Sequence, residues 1–240
     1  MIFTPLDIPP IPNKKSIIDK FQGKEYFAFT NKDGIIEIKS NESTGSFCHW
    51  EELTLLDKDG VWQDNAIKLF PDLLEWIDNY FPFSHKLHVK LSRAKGDVLP
   101  HTDAHDFDND NFQGYFIVDG QKVKTPEKTN ITKSQDMLQH QLDNEPCGYR
   151  FIINGSRNSL YMCKDEPASQ KYYCTIPQDT DAWVLNNCSQ PHGVDLQKPG
   201  IDDNRIIGQI TGIVDIEKHQ NLLEKSRTKY KQYVVHQEQL

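Results

Sequence analysis

The chain has 240 residues and a formal net charge of −8, with 27 Lys and Arg against 35 Asp and Glu. That length suits one sizeable domain, and the acidic balance argues against binding nucleic acid through a phosphate-facing basic surface. Its five cysteines form an odd set without a C-x-x-C pair, which suits reduced thiols better than a disulfide framework. The N-terminus carries no basic region followed by an apolar run, so no signal peptide is expected. No window approaches the ~18 apolar residues of a membrane span. The expectation is a cytoplasmic protein with neither nucleic acid nor membrane as partner.

Residues 1–13 carry four prolines and are expected to run extended over the surface. A short helix is expected over 16–21, ended by Gly23, followed by β-rich runs at 26–29 and 35–38 around a turn at 31–34. Residues 47–56 lead to another turn at Asp57-Lys58-Asp59-Gly60. Over 65–80, Ile67, Phe70, Leu74, Ile77 and Phe81 recur at three- and four-residue spacing, one apolar stripe of a helix lying outside a sheet. Pro71 falls inside it and predicts a kink or a restart. From Lys86 the period becomes two, with Leu87, Val89 and Leu91 alternating with His88, Lys90 and Ser92.

A further strand is expected over 113–118, and the polar stretch 120–146 reads as a long excursion with a weak helical hint at 134–142. Closely spaced strands follow at 149–154, 159–163, 171–176, 182–185 and 205–214, parted by Gly and Pro. Short strands with turn residues between them indicate a mainly β sandwich or jelly roll with flanking helices. The tail, 216–234, reads as a polar helix anchored by Leu222, Leu223 and Tyr230. One domain over 1–240 is expected: a buttress at 1–85, a β core at 86–215 with an excursion at 104–146, and a C-terminal helix at 216–240.

The chemistry gathers at Val98-Leu99-Pro100-His101-Thr102-Asp103 and at Gln190-Pro191-His192-Gly193-Val194, with Arg205 beyond. His101 and Asp103, two residues apart, share one face of a strand end, and His192 must come from a strand distant in sequence but adjacent in space. Two neutral imidazoles and one carboxylate on one face of an octahedral ion leave three positions open, which is what Fe(II) needs for a chelating 2-oxo acid and dioxygen. Arg205, opening the next strand, suits the far carboxylate of such an acid, because a guanidinium meets a carboxylate bidentately. The tripeptide alone is a weak signal: His49-Trp50-Glu51 and His236-Gln237-Glu238 match it too, but neither has this frame. His105 and Asp106 invite a second metal, yet the acidic run they belong to reads better as a solvated loop at a pocket mouth. Trp183, His88, Tyr161, Tyr172 and Tyr173 are read as sheet-packing residues, while Asn186 could orient a ligand.

Across residues 86–215 the chain resembles the 2-oxoglutarate/Fe(II) oxygenases, most of all the aspartyl/asparaginyl β-hydroxylase and proline hydroxylase branch. The matching pieces are the His101 motif, Tyr149-Arg150-Phe151-Ile152-Ile153-Asn154, Asp181-Ala182-Trp183-Val184-Leu185-Asn186-Asn187, His192-Gly193-Val194 and Arg205. The resemblance implies a double-stranded β-helix (a cupin-like jelly roll) with His101, Asp103 and His192 as iron ligands and Arg205 on the 2-oxoglutarate C5 carboxylate. It implies a role for Arg150 at the other end of the cosubstrate or at a substrate carboxylate. The reaction implied is hydroxylation of an unactivated C–H bond of an amino acid, a peptidyl residue or a small metabolite, using dioxygen. The insertion between Asp103 and Arg150 is longer than the branch leads one to expect, and retention of Asp103 favours hydroxylation over halogenation.

Two other readings stay open from sequence: a cupin-like zinc hydrolase or metal-binding protein on the same three ligands, and a non-catalytic binding module using 104–146. Arg205 speaks against the hydrolase, which has no need of an inward arginine there. Neither the substrate nor the oligomeric state is legible.

Overall fold

The computed structural model describes residues 1–22, 50–57, 60–94, 97–101, 115–118, 121–124, 148–164, 170–187, 190–196 and 205–240. The expected elements at 26–29, 31–34, 35–38 and 134–142, and Asp103, His105 and Asp106, lie outside the described residues. Every strand pair among the described residues is antiparallel. A few helices accompany the sheets, and the whole is compatible with a β-sandwich.

The larger sheet has six strands in the order β1 (Phe3–Pro5), β10 (Ala182–Leu185), β7 (Gly148–Asn154), β12 (Ile206–Val214), β3 (Phe83–Ala94) and β2 (Trp50–Leu56). The smaller has four: β4 (Val98–His101), β11 (His192–Val194), β8 (Leu160–Cys163) and β9 (Lys171–Tyr173). A separate hairpin joins β5 (Tyr115–Val118) to β6 (Gln121–Lys124).

Strand alternation sorts the large sheet's side chains into two cores. Leu53, Val89, Leu91, Tyr149, Phe151, Ile206 and Ile210 face the helices α1 (Lys14–Gln22), α2 (Asp64–Leu69), α3 (Pro71–Tyr80) and α4 (Ile216–Lys229). Trp76 of α3 meets Phe151 edge to face, centroids 5.4 Å apart, and Phe81 sits 5.8 Å from Tyr149 in the same manner. The second core joins Ile152, Trp183 and Leu185 of the large sheet to Val98, Leu160, Met162 and Val194 of the small one.

Two expectations are corrected. The proline-rich N-terminus does not run over the surface: Phe3 and Leu6 are fully buried, and β1 pairs with β10. The pull is the buried Asp181, whose carboxylate accepts the Ile11 N–H at 2.8 Å and pairs with Lys14 and Arg157. The second is the place of Ile67 in a single apolar stripe, because the run 65–80 restarts at Pro71, as that proline predicted, and forms two helices. Phe70, at φ −130° and ψ 41°, breaks the run, and Pro71 opens α3 at a position where its missing N–H costs nothing. The break resets the helical phase, so Ile67 is half exposed while Ala66 and Leu69 are buried instead. His192–Val194 is a short strand, the kind of element from which the second histidine was expected to come.

The C-terminal helix starts on Asp215, whose side chain accepts the Lys218 N–H at 3.1 Å. Beyond it the tail returns to β1: Val235 N–H donates to the Phe3 carbonyl at 3.0 Å, and Ile2 N–H to that of Val235 at 2.9 Å. This covers an edge strand that would otherwise present unpaired backbone. No helix among the described residues is long and apolar enough to cross a membrane.

Candidate functional site

Strand β11 lies between β4 and β8, and its register sets His192 directly opposite His101 on one side and Met162 on the other. Residues so distant in sequence thus become cross-strand neighbours, whose Cα atoms lie about 4.5–5.5 Å apart in antiparallel pairs. His101 is described for its backbone alone, as the last residue of β4. His192 is 8 % exposed, and its Nδ1 lies 3.1 Å from the Gln190 carbonyl oxygen. A carbonyl only accepts, so Nδ1 carries a proton, and in the neutral imidazole the lone pair is on Nε2. That is the tautomer a metal-ligating histidine adopts when its other nitrogen is held by backbone.

The strand that carries His192 is fixed at both ends. Ahead of it, the buried Gln190 amide donates to the Cys163 carbonyl, and Cys163 N–H donates to the Pro191 carbonyl at 3.0 Å. After it, Asp195 N–H donates to the Ser159 carbonyl at 2.9 Å and Leu196 N–H to Asp97 Oδ1 at 2.6 Å. Gly193 is required by space: an added Cβ would lie 2.4 Å from the Tyr161 hydroxyl and 2.5 Å from the Val98 carbonyl oxygen. The Tyr161 hydroxyl itself donates to that carbonyl, at 3.2 Å. Burial pushes the Tyr161 phenol well above its ordinary value, and burial together with the Asp195 hydrogen bond raises Tyr173 to about 12. Both phenols therefore stay protonated near neutral pH and serve as struts rather than proton carriers.

On the face away from the helices, the large sheet carries a row of polar positions that is buried at Trp183 and Arg150 and exposed at Thr54. The register aligns Trp183 of β10, Arg150 of β7, Gln209 of β12, Lys90 of β3 and Thr54 of β2. Their chain neighbours Val184, Phe151, Ile210, Leu91 and Leu53 all enter the helix-side core, so alternation assigns the row to the opposite face. Arg150 is 8 % exposed and donates to the Tyr149 carbonyl at 3.0 Å, while Gln209 and Lys90 are half-buried. One step along the same face, Ile152 and Ile207 form an apolar row ending at Ser92.

Arg205 immediately precedes β12 and is 2 % exposed. Alternation carried back from Ile207 and Gln209 assigns it to the inter-sheet side. Gly155, at φ 109°, makes room for it: an added Cβ would lie 2.9 Å from each of Arg205 Cα, Cβ and Cγ. The glycine is doubly required, by its backbone conformation and by the passing arginine. Asn186 lies just past β10, where its N–H donates to the Ile2 carbonyl at 2.9 Å, so this described contact belongs to the N-terminal strand.

Of the six residues singled out from sequence, His101 and His192 are brought together by register, and Arg150 and Arg205 belong to neighbouring elements of the facing sheet. Among the described residues no group of three or more His, Cys, Asp or Glu is arranged to hold a metal, but Asp103 and the His101 side chain fall outside that set. The donor chemistry that is described suits a metal: a buried, backbone-oriented imidazole beside a second histidine position. Sequence reasoning quoted Gln190 and Gly193 within the His192 motif without giving them a role, and it assigned none to Asp97 or Gly155, which position the site. Comparison with protein-family models finds no match, and comparison with curated proteins finds none.

Proposed function

We propose that this protein is a 2-oxoglutarate- and Fe(II)-dependent dioxygenase on a jelly-roll core, hydroxylating an unactivated C–H bond. The observation that carries the reading is the antiparallel register of His192 with His101, which joins two sequence motifs far apart in the chain. His101, Asp103 and His192 are the proposed ligands. When bound, iron with 2-oxoglutarate supplies the activation of dioxygen, with succinate and carbon dioxide as coproducts.

The chain's own residues supply geometry. Gln190 fixes the His192 tautomer through its carbonyl and holds the incoming loop with its amide. Arg205, buried against Gly155, offers a charge-assisted bidentate pair to the cosubstrate's far carboxylate. The apolar residues between the sheets, Val194, Ile152 and Met162 among them, exclude water from the interior.

The test is anaerobic addition of Fe(II) and 2-oxoglutarate to metal-stripped protein, watching for the visible charge-transfer band of the chelated cosubstrate. The band is expected in the wild type, weakened in Arg205→Ala and absent in Asp103→Ala. No band together with tight zinc binding would move the same ligands to a cupin-like hydrolytic or metal-binding site.

A further inference from the structure

We propose that Met162 is a modification site: without a primary substrate, its thioether is oxidised to the sulfoxide at the metal that His192 helps to hold. This rests on the oxygenase reading for the oxidant, but the placement of Met162 follows from the sheet alone.

Three adjacent strands form one cross-strand row, His101 of β4, His192 of β11 and Met162 of β8. Residues directly opposite in an antiparallel pair share a face, with Cβ atoms about 4.5–5.5 Å apart. Met162 is fully buried and belongs with Ile152, Leu160 and Val194 to the core between the sheets, so the shared face is the interior one. Its chain neighbours are oxidisable too, but alternation turns them the other way. The Lys171 ammonium lies 4.5 Å from the Tyr161 ring centroid, and Cys163 Sγ donates to the Pro191 carbonyl at 3.5 Å. Of the consecutive Tyr161, Met162 and Cys163, only the middle residue shares a face with His192.

A thioether is soft and flexible, and it gives up two electrons to take one oxygen atom. Dioxygen and 2-oxoglutarate close the balance. The C1–C2 bond of the 2-oxo acid breaks to release carbon dioxide, one atom of dioxygen enters succinate, and the other forms the new S–O bond. Sulfur neither gains nor loses a proton. Burial shields Met162 from oxidants in solvent, so its oxidation marks an oxidant made inside. The product is a polar group in an apolar cluster. That cluster also contains the Trp183 indole N–H, buried with no acceptor among the described residues, which is a donor for a sulfoxide oxygen. Met162 is the cross-strand neighbour of His192, so the change in its bulk and polarity disturbs the imidazole and metal affinity falls.

The test incubates the full chain aerobically with Fe(II), 2-oxoglutarate and catalase, with no other substrate. Peptide mass spectrometry then scores added oxygen on Met162 and Cys163 and on the other methionines, Met1 and Met137. Most of the added oxygen should lie on Met162 and carry label from isotopically heavy dioxygen, and His192→Ala should bring Met162 down to the level of Met1 and Met137. Fe(II) affinity should fall by roughly tenfold in the oxidised wild type, and Met162→Leu, close in volume, should keep it through the same incubation. The proposal is overturned if oxygen spreads evenly over the methionines, if Met162 oxidation persists in His192→Ala, or if the leucine variant loses affinity as fast as the wild type. A 2-oxoglutarate charge-transfer band beside any of these results would leave the oxygenase reading standing. Oxidation of Met162 by Fe(II) and ascorbate that 2-oxoglutarate does not increase would keep the metal-directed site and discard the oxygenase reading.

Discussion

On strand β7, Tyr149, Phe151 and Ile153 enter the core beneath the helices, while Arg150 and Ile152 turn toward the smaller sheet. The same division runs across β12 and β3, where Ile210 and Val89 or Leu91 face the helices and Gln209 and Lys90 face inward. The helix side is apolar throughout its central rows and closed by aromatic edges: Trp76, Phe81, Phe151 and Tyr149 interlock at centroid distances of 5.1 to 6.1 Å. The inter-sheet side interrupts its apolar packing with a line of hydrogen-bond donors. A sheet needs only one apolar face to be held in place, and here the helices supply it. The other face is then free to bear polar groups, so the two faces are separable by parity along one strand.

The largest effect expected on the helix side is that of Phe151→Ala. Its ring is fully buried against Trp76 and occupies the space that a side chain at Gly208 would need. Chemical denaturation should show a loss of about 3–5 kcal/mol, the usual cost of emptying a buried aromatic site. A loss comparable to that of an inter-sheet substitution would break the comparison.

Gln190→Leu tests the other sheet's scaffolding. The amide is buried and donates to the Cys163 carbonyl, so its removal takes away a buried hydrogen bond, at about 1–3 kcal/mol. Because His192 leans on the same loop, metal affinity should fall by roughly 10–100-fold as well, which a neutral structural residue would not cause. Equilibrium dialysis with Fe(II) or Zn(II) would read this directly.

Smaller still is Gln209→Leu. On a half-buried position it should change stability by no more than about 0.5 kcal/mol in either direction. A strong destabilisation would mean that the polar row is as structural as the helix side.

The smallest effect lies outside both faces. Asp215 caps α4, and its carboxyl is held below the ordinary value of 3.8 chiefly by the hydrogen bond from the Lys218 backbone N–H. A carboxyl with a lowered folded-state pKa contributes stability that is present above its unfolded value and lost as pH falls through the folded one. Thermal melts of Asp215→Ala should therefore sit slightly below the wild type near neutral pH and converge with it at strongly acidic pH.

Much of this architecture was legible because it follows local periods. The alternation of Val89 and Leu91 marked β3, the run 182–185 is the whole of β10, and Pro71 marked the restart of a helix. The failures share a cause. Ile67 was assigned to one apolar stripe running through 65–80, and the restart at Pro71 rotates it into solvent. The proline-rich N-terminus looked like surface because nothing local announces Asp181, whose carboxylate draws in Ile11 and Lys14 from across the chain. Strand β11 is three residues long, too short for any period to show, and exists because β4 and β8 flank it.

The site divides similarly. Its histidines were visible as motifs, because metal chemistry restricts residue type and spacing. The positioning groups were not, since Gly155 matters only where Arg205 passes and Gln190 only where Cys163 ends a neighbouring strand. The donor row was hidden most completely. Trp183, Arg150, Gln209 and Lys90 come from four separate segments, and register alone unites them.

The central claim is that His101 and His192 meet at one metal. Pulsed electron paramagnetic resonance on Cu(II)-substituted protein counts coordinated imidazoles, and it can be run on the wild type beside His192→Ala and His101→Ala. Two imidazoles in the wild type and one in each variant are expected, with the Asp103→Asn protein retaining both. A wild-type count of one or none, or a count unchanged by either substitution, would contradict the account and leave the paired strands without a metal centre.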